Sequence, residues 1–309
     1  MPEYPAAAYA GIPARGRMPG GGVMQVGVVF PQTEIGADPG AVRDYARAAE
    51  AAGYAHLLAY DHVLGAVRDR PGGFNGPYDH ETLFHEPLVL FGYLAGVTER
   101  LELFTGILIL PQRQTALVAK QAAEVDVLSS GRLRLGVGVG WNPVEYESLG
   151  ENFHNRGRRI EEQVALLRNL WASDSISFEG RYHSVVRAGI KPRPPGGEIP
   201  IWMGGMSDVV KTRVGRLADG WFPQYREPGD LAEGLKAVHD AARAAGRDPA
   251  SIGIACSLQL GDVDQAVELA REWEAAGATH LSVNTMRLDF DTPAQHIDAI
   301  ERFRAAYGE

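Results

Sequence analysis

The sequence predicts an α/β protein built as one (β/α)8 TIM barrel, a single domain with an insertion after strand four. Three observations predict it. Short β-branched runs alternate with longer segments rich in Ala, Leu, Glu and Arg at helical period, the mark of parallel βαβ units. The strand runs are apolar on both faces, as strands covered by helices must be. The alternation recurs eight times in 309 residues, the number a closed barrel needs, where an open doubly wound sheet would carry fewer.

Met24–Phe30 (MQVGVVF) is the first strand and Pro39–Ala52 its helix, started near Asp38 and stopped by Gly53. His56–Tyr60 is the second strand, ending in Asp61-His62; a stretch punctuated by Gly and Pro, Gly65–Glu86, then leads to a helix over Pro87–Val97. Leu101–Leu110 (LELFTGILIL) and Gln114–Leu128 form the third pair. Leu133–Val139 is the fourth strand, with a long helix over Arg156–Trp171 after it. Ser175–Val186 has the pattern of a hairpin, Glu179-Gly180 at its turn, and is the insertion. The last four strands are Ile199–Met203, Gly220–Pro223, Ile252–Leu260 and His280–Asn284. Their helices are Asp208–Ala218, Asp230–Ala245, Val263–Ala276 and Thr292–Tyr307.

Composition narrows the function. Hydrophobic residues at 45% and charged ones at 22% are globular values. A net charge of −9 argues against nucleic acid or an anionic membrane as partner, because the overall field repels both. The single cysteine, Cys256, rules out an internal disulfide and lies in an apolar run that suits a buried thiol. No run reaches the length of a membrane span. Residues 1–23, rich in Ala, Pro and Gly, read as a disordered N-terminal extension without the apolar core of a signal peptide. Residues 24–309 form the barrel, and the cytoplasm is the expected compartment.

Barrel enzymes place their chemistry at the C-terminal ends of the strands. Five strand ends therefore matter. At the second, His62 can move a proton or bind a ring cofactor, with Asp61 orienting it or capping the loop. Within the third, Thr105-Gly106-Ile107 places a glycine in an apolar strand, which a barrel kink or a close ligand explains equally. At the fourth, Gly136-Val137-Gly138-Val139-Gly140 would let a flat ligand approach the backbone, with Trp141 and Asn142 as a wall. The dinucleotide fingerprint is not met, since its third glycine is missing.

At the fifth, Gly204-Gly205-Met206-Ser207 precedes a helix whose N-terminal amides and dipole favour an anion. Ser207 would add a hydroxyl, and Lys191, Lys211 and Arg213 lie near in sequence. Asp219–Pro223, at the sixth, reads as a structural strand start. No His-x-His pair ends a strand, so no metal site is expected. Glu145, Glu147 and Glu151 read as surface charge on a helix rather than glycosidase acids, and no G-x-S-x-G elbow is present.

Taken together, these segments resemble the luciferase-like monooxygenase superfamily, in particular its branch dependent on the deazaflavin coenzyme F-420. The resemblance rests on Lys120-Gln121-Ala122-Ala123, Asp126–Arg132, Gly136–Trp141, Lys191-Pro192, Ile201–Gly205 and Arg216–Trp221, in that order and spacing. It implies a non-prolyl cis peptide within Thr105-Gly106-Ile107, behind the cofactor ring. It also implies that Asp61 and His62 face the ring, Gly138–Trp141 line its side, and Gly204-Gly205 hold the phosphate.

Relatives using FMN often carry a Gln-Ala-Gly-x-Ser type of phosphate loop. This chain has Trp-Met-Gly-Gly-Met-Ser there, which favours the deazaflavin. Trp141 stands where members oxidising sugar phosphates or alcohols tend to carry a carboxylate, which argues against that chemistry here. The expectation is hydride transfer between F-420 and a small organic substrate, with Gly65–Glu86 as a lid and a homodimer as the assembly. The alternatives are an FMN-dependent monooxygenase served by a partner reductase, and a flavin- or deazaflavin-binding protein without turnover.

Overall fold

The computed structural model describes residues 23–308, so the extension expected over 1–23 lies, but for Val23, outside the described residues. The strands are β1 (Gln25–Val29), β2 (His56–Ala59), β3 (Glu102–Thr105), β4 (Leu108–Ile109), β5 (Leu133–Gly138), β6 (Ile176–Glu179), β7 (Ser184–Ala188), β8 (Ile201–Gly204), β9 (Gly220–Phe222), β10 (Gly253–Gln259) and β11 (His280–Asn284). The helices are α1 (Pro39–Ala51), α2 (Pro87–Ala95), α3 (Thr115–Leu128), α4 (Pro143–Ser148), α5 (Arg156–Ala172), α6 (Asp208–Leu217), α7 (Leu231–Ala244), α8 (Val263–Ala275) and α9 (Pro293–Tyr307).

Local signals set these boundaries. Asp38 caps α1 through hydrogen bonds from the Gly40 and Ala41 amides, with Pro39 in the first turn, and Gly53 follows the helix at φ +83°. The parallel ladder runs β3-β2-β1-β11-β10-β9-β8-β5, and β5 also pairs with β3. That last pairing closes an eight-staved TIM barrel. Its third stave is broken into β3 and β4 at a cis Gly106–Ile107 peptide, within the three residues where one was expected.

The hairpin β6-β7 is the insertion, and it is docked by one carboxylate. Glu162 on α5 accepts from the Arg181 and Tyr182 amides and from His183 Nδ1, at 2.8, 2.8 and 2.7 Å. His183 Nε2 in turn meets the Thr115 hydroxyl at 2.7 Å.

Two apolar clusters fill the molecule. The larger packs helices on the outside of the staves. The smaller lies inside the barrel and contains Val29, Leu58, Phe104, Trp202, Phe222, Ala255 and Met286, with Tyr60 and Ile107 packed on it. Below it, at the N-terminal strand ends, sit His56, His280 and Arg134. The Arg134 guanidinium lies 4.9 Å from the Trp202 ring centre and pairs with Glu102. A methyl group on Gly220 or Gly253 would strike the Trp202 ring within 2.3 Å, so both must be glycine for the bottom to close. Cys256 is buried as expected, and burial pushes its thiol up to about 12.

Candidate active site

The mouth of the barrel is organised from the end of β2. Gln32 clamps the Tyr60 backbone with two side-chain hydrogen bonds of 3.0 and 2.9 Å. Beyond that clamp the chain turns Asp61 inward. Its carboxylate accepts from the Ile109 amide at 2.8 Å and from Arg113 Nη2 at 2.6 Å, while Arg113 also reaches Glu86 at 2.8 Å. Burial raises the Asp61 carboxyl, and Arg113 opposes that rise. Asp61 was expected to orient His62 or cap its loop; instead it ties β2 to the chain that follows the cis peptide and to the start of α2.

The partner of His62 is Glu145. Its carboxylate is fully buried; Oε1 accepts from the Val63 amide at 2.7 Å, and Oε2 lies 3.4 Å from His62 Nδ1. Among the described residues Oε2 makes no hydrogen bond, and a buried carboxylate oxygen requires a donor, which His62 is the group placed to supply. Reading Glu145 as surface charge was therefore wrong. Glu147 is exposed as expected, and Glu151 pairs with Arg159. A signal was present in the sequence: Asn142-Pro143-Val144-Glu145 is a helix start, and Asn142 does cap α4 through the Val144 amide at 3.0 Å. The glutamate does not reach back to the cap; it turns to the β2 loop.

Around His62 lies a chamber of about 370 Å³ bounded by residues 62–65, 78–80, Thr82, Phe84, Trp141 and Asn142. Tyr78, Phe84 and Trp141 place ring centres 5.1, 4.6 and 5.8 Å from that of His62. Trp141 is 42% exposed, and Phe74 from the long loop stacks beside it. The loop is pinned by Arg68 to Asp79 at 2.7 Å.

The glycines at the mouth serve chiefly the broken stave. A Cβ on Gly138 or Gly204 would meet the Ile107 side chain at 2.5 or 3.0 Å, and one on Gly140 would meet Ile109 at 2.7 Å. Ile107 thus lies between Gly138 and Gly204 as a partly exposed apolar floor. Thr105 does not face the mouth: it is buried, and its hydroxyl donates to Gly136 O at 2.7 Å. Val139 is half-buried and accepts from the Tyr146 hydroxyl at 2.7 Å.

Across the mouth, β8 leads into α6. The Gly205 amide donates to Phe222 O at 3.2 Å and its carbonyl accepts from Trp221 Nε1, so that glycine shapes the turn. The amides open to an anion are those of the first α6 turn, beside Ser207, whose hydroxyl makes no capping bond. Lys211 reaches the same turn and pairs with Asp208 at 3.0 Å. The two other basic residues near in sequence are taken up by other partners. Lys191 pairs with Asp174 beyond the C-terminus of α5, at the opposite end of the barrel, and Arg213 is engaged by Glu161 and Gly157 O.

A closed parallel barrel with a histidine, a buried carboxylate and a glycine-seated apolar floor at its C-terminal mouth is an enzyme architecture. Residues 22–279 match the luciferase-like monooxygenase family, and the chain belongs to that family and with it to the oxidoreductases. An uncharacterized protein of Mycobacterium tuberculosis is 35% identical over 208 residues, covering 65% of this chain and 71% of the relative. The FMNH2-dependent dimethylsulfone monooxygenase of Pseudomonas fluorescens is 32% identical over 206 residues, 65% of this chain and 51% of that protein. Among solved structures, an F-420-dependent secondary alcohol dehydrogenase in complex with an F-420–acetone adduct aligns with a TM-score of 0.72. It covers 93% of this chain and 99% of its own at 19% identity, a likeness of fold.

Proposed function

We propose that the protein is an F-420-dependent oxidoreductase that moves a hydride between the deazaflavin and a small organic substrate, with His62 as the proton carrier. The observation that carries this is the His62–Glu145 pair, a histidine held by a buried carboxylate at the barrel mouth. Hydride transfer to or from a carbonyl carbon must be matched by a proton on or off its oxygen, and this pair suits that task. Glu145 fixes the proton on Nδ1, which leaves Nε2 to exchange a proton with the substrate.

The residues present fit such a cofactor. The partly exposed Ile107, seated on Gly138 and Gly204, offers a flat apolar rest for a ring. Gly106, Val139, Gly140, Trp141 and Asn142 would complete its surroundings in this reading. The first α6 turn, with Ser207 and Lys211, would take the phosphate, while Gly204 and Gly205 keep the approach low. When bound, the deazaflavin supplies the hydride chemistry. The chain orients both partners, excludes water with the lid and carries the proton. Gly65–Glu86 is that lid.

Replacing Glu145 by Gln keeps an acceptor for Val63 but removes the charge facing His62. Turnover should fall about 100-fold, and nitrogen NMR of His62 should lose the single Nδ1–H tautomer. The reading as a whole is tested without oxygen, by mixing the protein with reduced F-420 and a panel of carbonyl and activated alkene compounds. Reoxidation of the coenzyme is expected.

The similarity to an FMNH2-dependent monooxygenase supports a second reading, an FMN enzyme fed by a separate reductase. Product formation only with reduced FMN and oxygen would select it. A homodimer belongs to either reading. It is supported by α2, apolar nearly all round, whose Val89 and Tyr93 are 70% and 40% exposed, and by the exposed Leu117 of α3. Sedimentation of the full chain tests it.

A further inference from the structure

We infer that the chamber beside His62 selects an uncharged substrate with a flat aromatic or conjugated ring bearing a hydroxyl or carbonyl group. This rests on the proposed reading that substrate meets His62 at the mouth. Three independent features of the chamber point the same way.

The walls are aromatic. His62, Tyr78, Phe84 and Trp141 surround about 370 Å³, with Val63 and Leu64 completing the apolar side. Tyr78 and Phe84 meet edge to face at 4.8 Å and 83°, an arrangement that holds both rings in fixed planes. Trp141 is supported from the lid by Phe74, and a Cβ on Gly76 would strike both rings within 2.6 Å, so the lid can pass only with glycine there. Such walls reward a ligand ring by stacking as well as by area.

Apart from the histidines His62 and His80, the chamber offers no unspent charge. Asp79 is its one carboxylate, and that group already accepts from Arg68 and from the Glu81 amide. Glu145 lies behind His62 and is used by Val63 and His62. Among the described residues no Lys or Arg lines the space, so a carboxylate or phosphate on the substrate would be desolvated without a permanent counter-charge.

The polar handles form two sets: His80 and Thr82 on the lid, where the Thr82 hydroxyl donates to Asp79, and His62 with Asn142 on the barrel side. His62 reaches the space with a side chain 12% exposed, and Asn142 lines it while its oxygen caps α4. They suit one oxygen on the ligand, placed where His62 exchanges its proton. The anion-accepting turn of α6 lies on a different stave, so the cofactor's phosphate end and this chamber do not compete for the same residues.

The test uses calorimetry on the cofactor-free protein with four probes: 2-naphthol, its saturated analogue decahydro-2-naphthol, 2-naphthoate and choline. 2-Naphthol should bind about tenfold more tightly than the saturated alcohol, and at least tenfold more tightly than naphthoate or choline. Replacing Tyr78 and Phe84 together by Leu preserves an apolar lining and should abolish the preference for the aromatic over the saturated alcohol. Equal binding of the two alcohols by the native protein, or preference for naphthoate or choline, overturns the inference. So does a preference that survives in the double variant. A parallel titration with F-420 separates the two claims. Discrimination among the alcohols without F-420 binding keeps the substrate class and sinks the cofactor, and the converse result does the opposite.

Discussion

The two ends of the barrel use the same residue type in opposite ways. At the bottom, His56 and His280 lie against Arg134 and Trp202, with no carboxylate among the described residues facing them, and His56 bonds Ser282 at 2.8 Å. Burial drives His56 down to about 3, with Arg134 adding to the effect, and holds His280 well below the ordinary histidine value. These rings are neutral polar filler. At the mouth, His62 has a buried carboxylate at its Nδ1 and a chamber on its other side. Charge complementarity and an opening, not the imidazole itself, separate a packing histidine from a chemical one.

The strongest way to break that comparison is to remove each histidine's setting and watch different properties fail. His62→Ala should cut turnover by ~10²–10⁴-fold while leaving thermal unfolding almost unchanged. Equal loss of stability would show that His62 is filler too. Trp202→Ala, at the bottom, should cost about 3–5 kcal/mol of stability in denaturant titrations, with normal turnover in the folded fraction. Asp61→Ala joins both worlds. It leaves Arg113 with Glu86 alone and frees the Ile109 amide beside the floor residue Ile107, so a loss of about 1–3 kcal/mol should come with weaker cofactor binding.

Acid sharpens the contrast further. His56, with a folded pKa of about 3, His296, at about 4, and His280 all sit below the unfolded value of 6.5. Below 6.5 the unfolded chain takes up protons that these buried rings refuse, so stability falls as pH falls; above it they contribute no pH dependence. Each contributes up to about 1.4 kcal/mol per pH unit. His56→Gln should remove about a third of their combined slope between pH 6 and pH 5, measured by urea unfolding, roughly. The smallest effect expected is none. Native Cys256 should resist thiol reagents that label it after unfolding, because its thiol is buried and its pKa raised.

Much of the barrel was legible because its signals are local. Periodicity placed the strands, and Asp38, Gly53 and the Glu179-Gly180 turn marked ends within a residue or two of where they fall. The third strand was read as one run from Leu101 to Leu110; Gly106 marked a kink or a close ligand without deciding between them, and the family resemblance supplied the cis peptide there. The site was legible by position but not by partnership. His62 and Glu145 are brought together by the closure of two staves, and burial of Glu145 depends on a loop far away in sequence. Lys191 failed for the same reason, because nearness in sequence to Gly204 says nothing about which end of a strand a residue occupies. Tyr78 and Phe84 carried no motif at all; only the path of the lid brings them to His62.

The most direct test of the central claim is titration of the purified protein with F-420 and, separately, with FMN, followed by fluorescence. The account predicts saturable binding of F-420, weakened by substitution of Ser207 or Lys211 at the α6 turn, and much weaker binding of FMN. Tight binding of FMN with none of F-420 would contradict it and move the chemistry at His62 to the oxygen-dependent branch of the family.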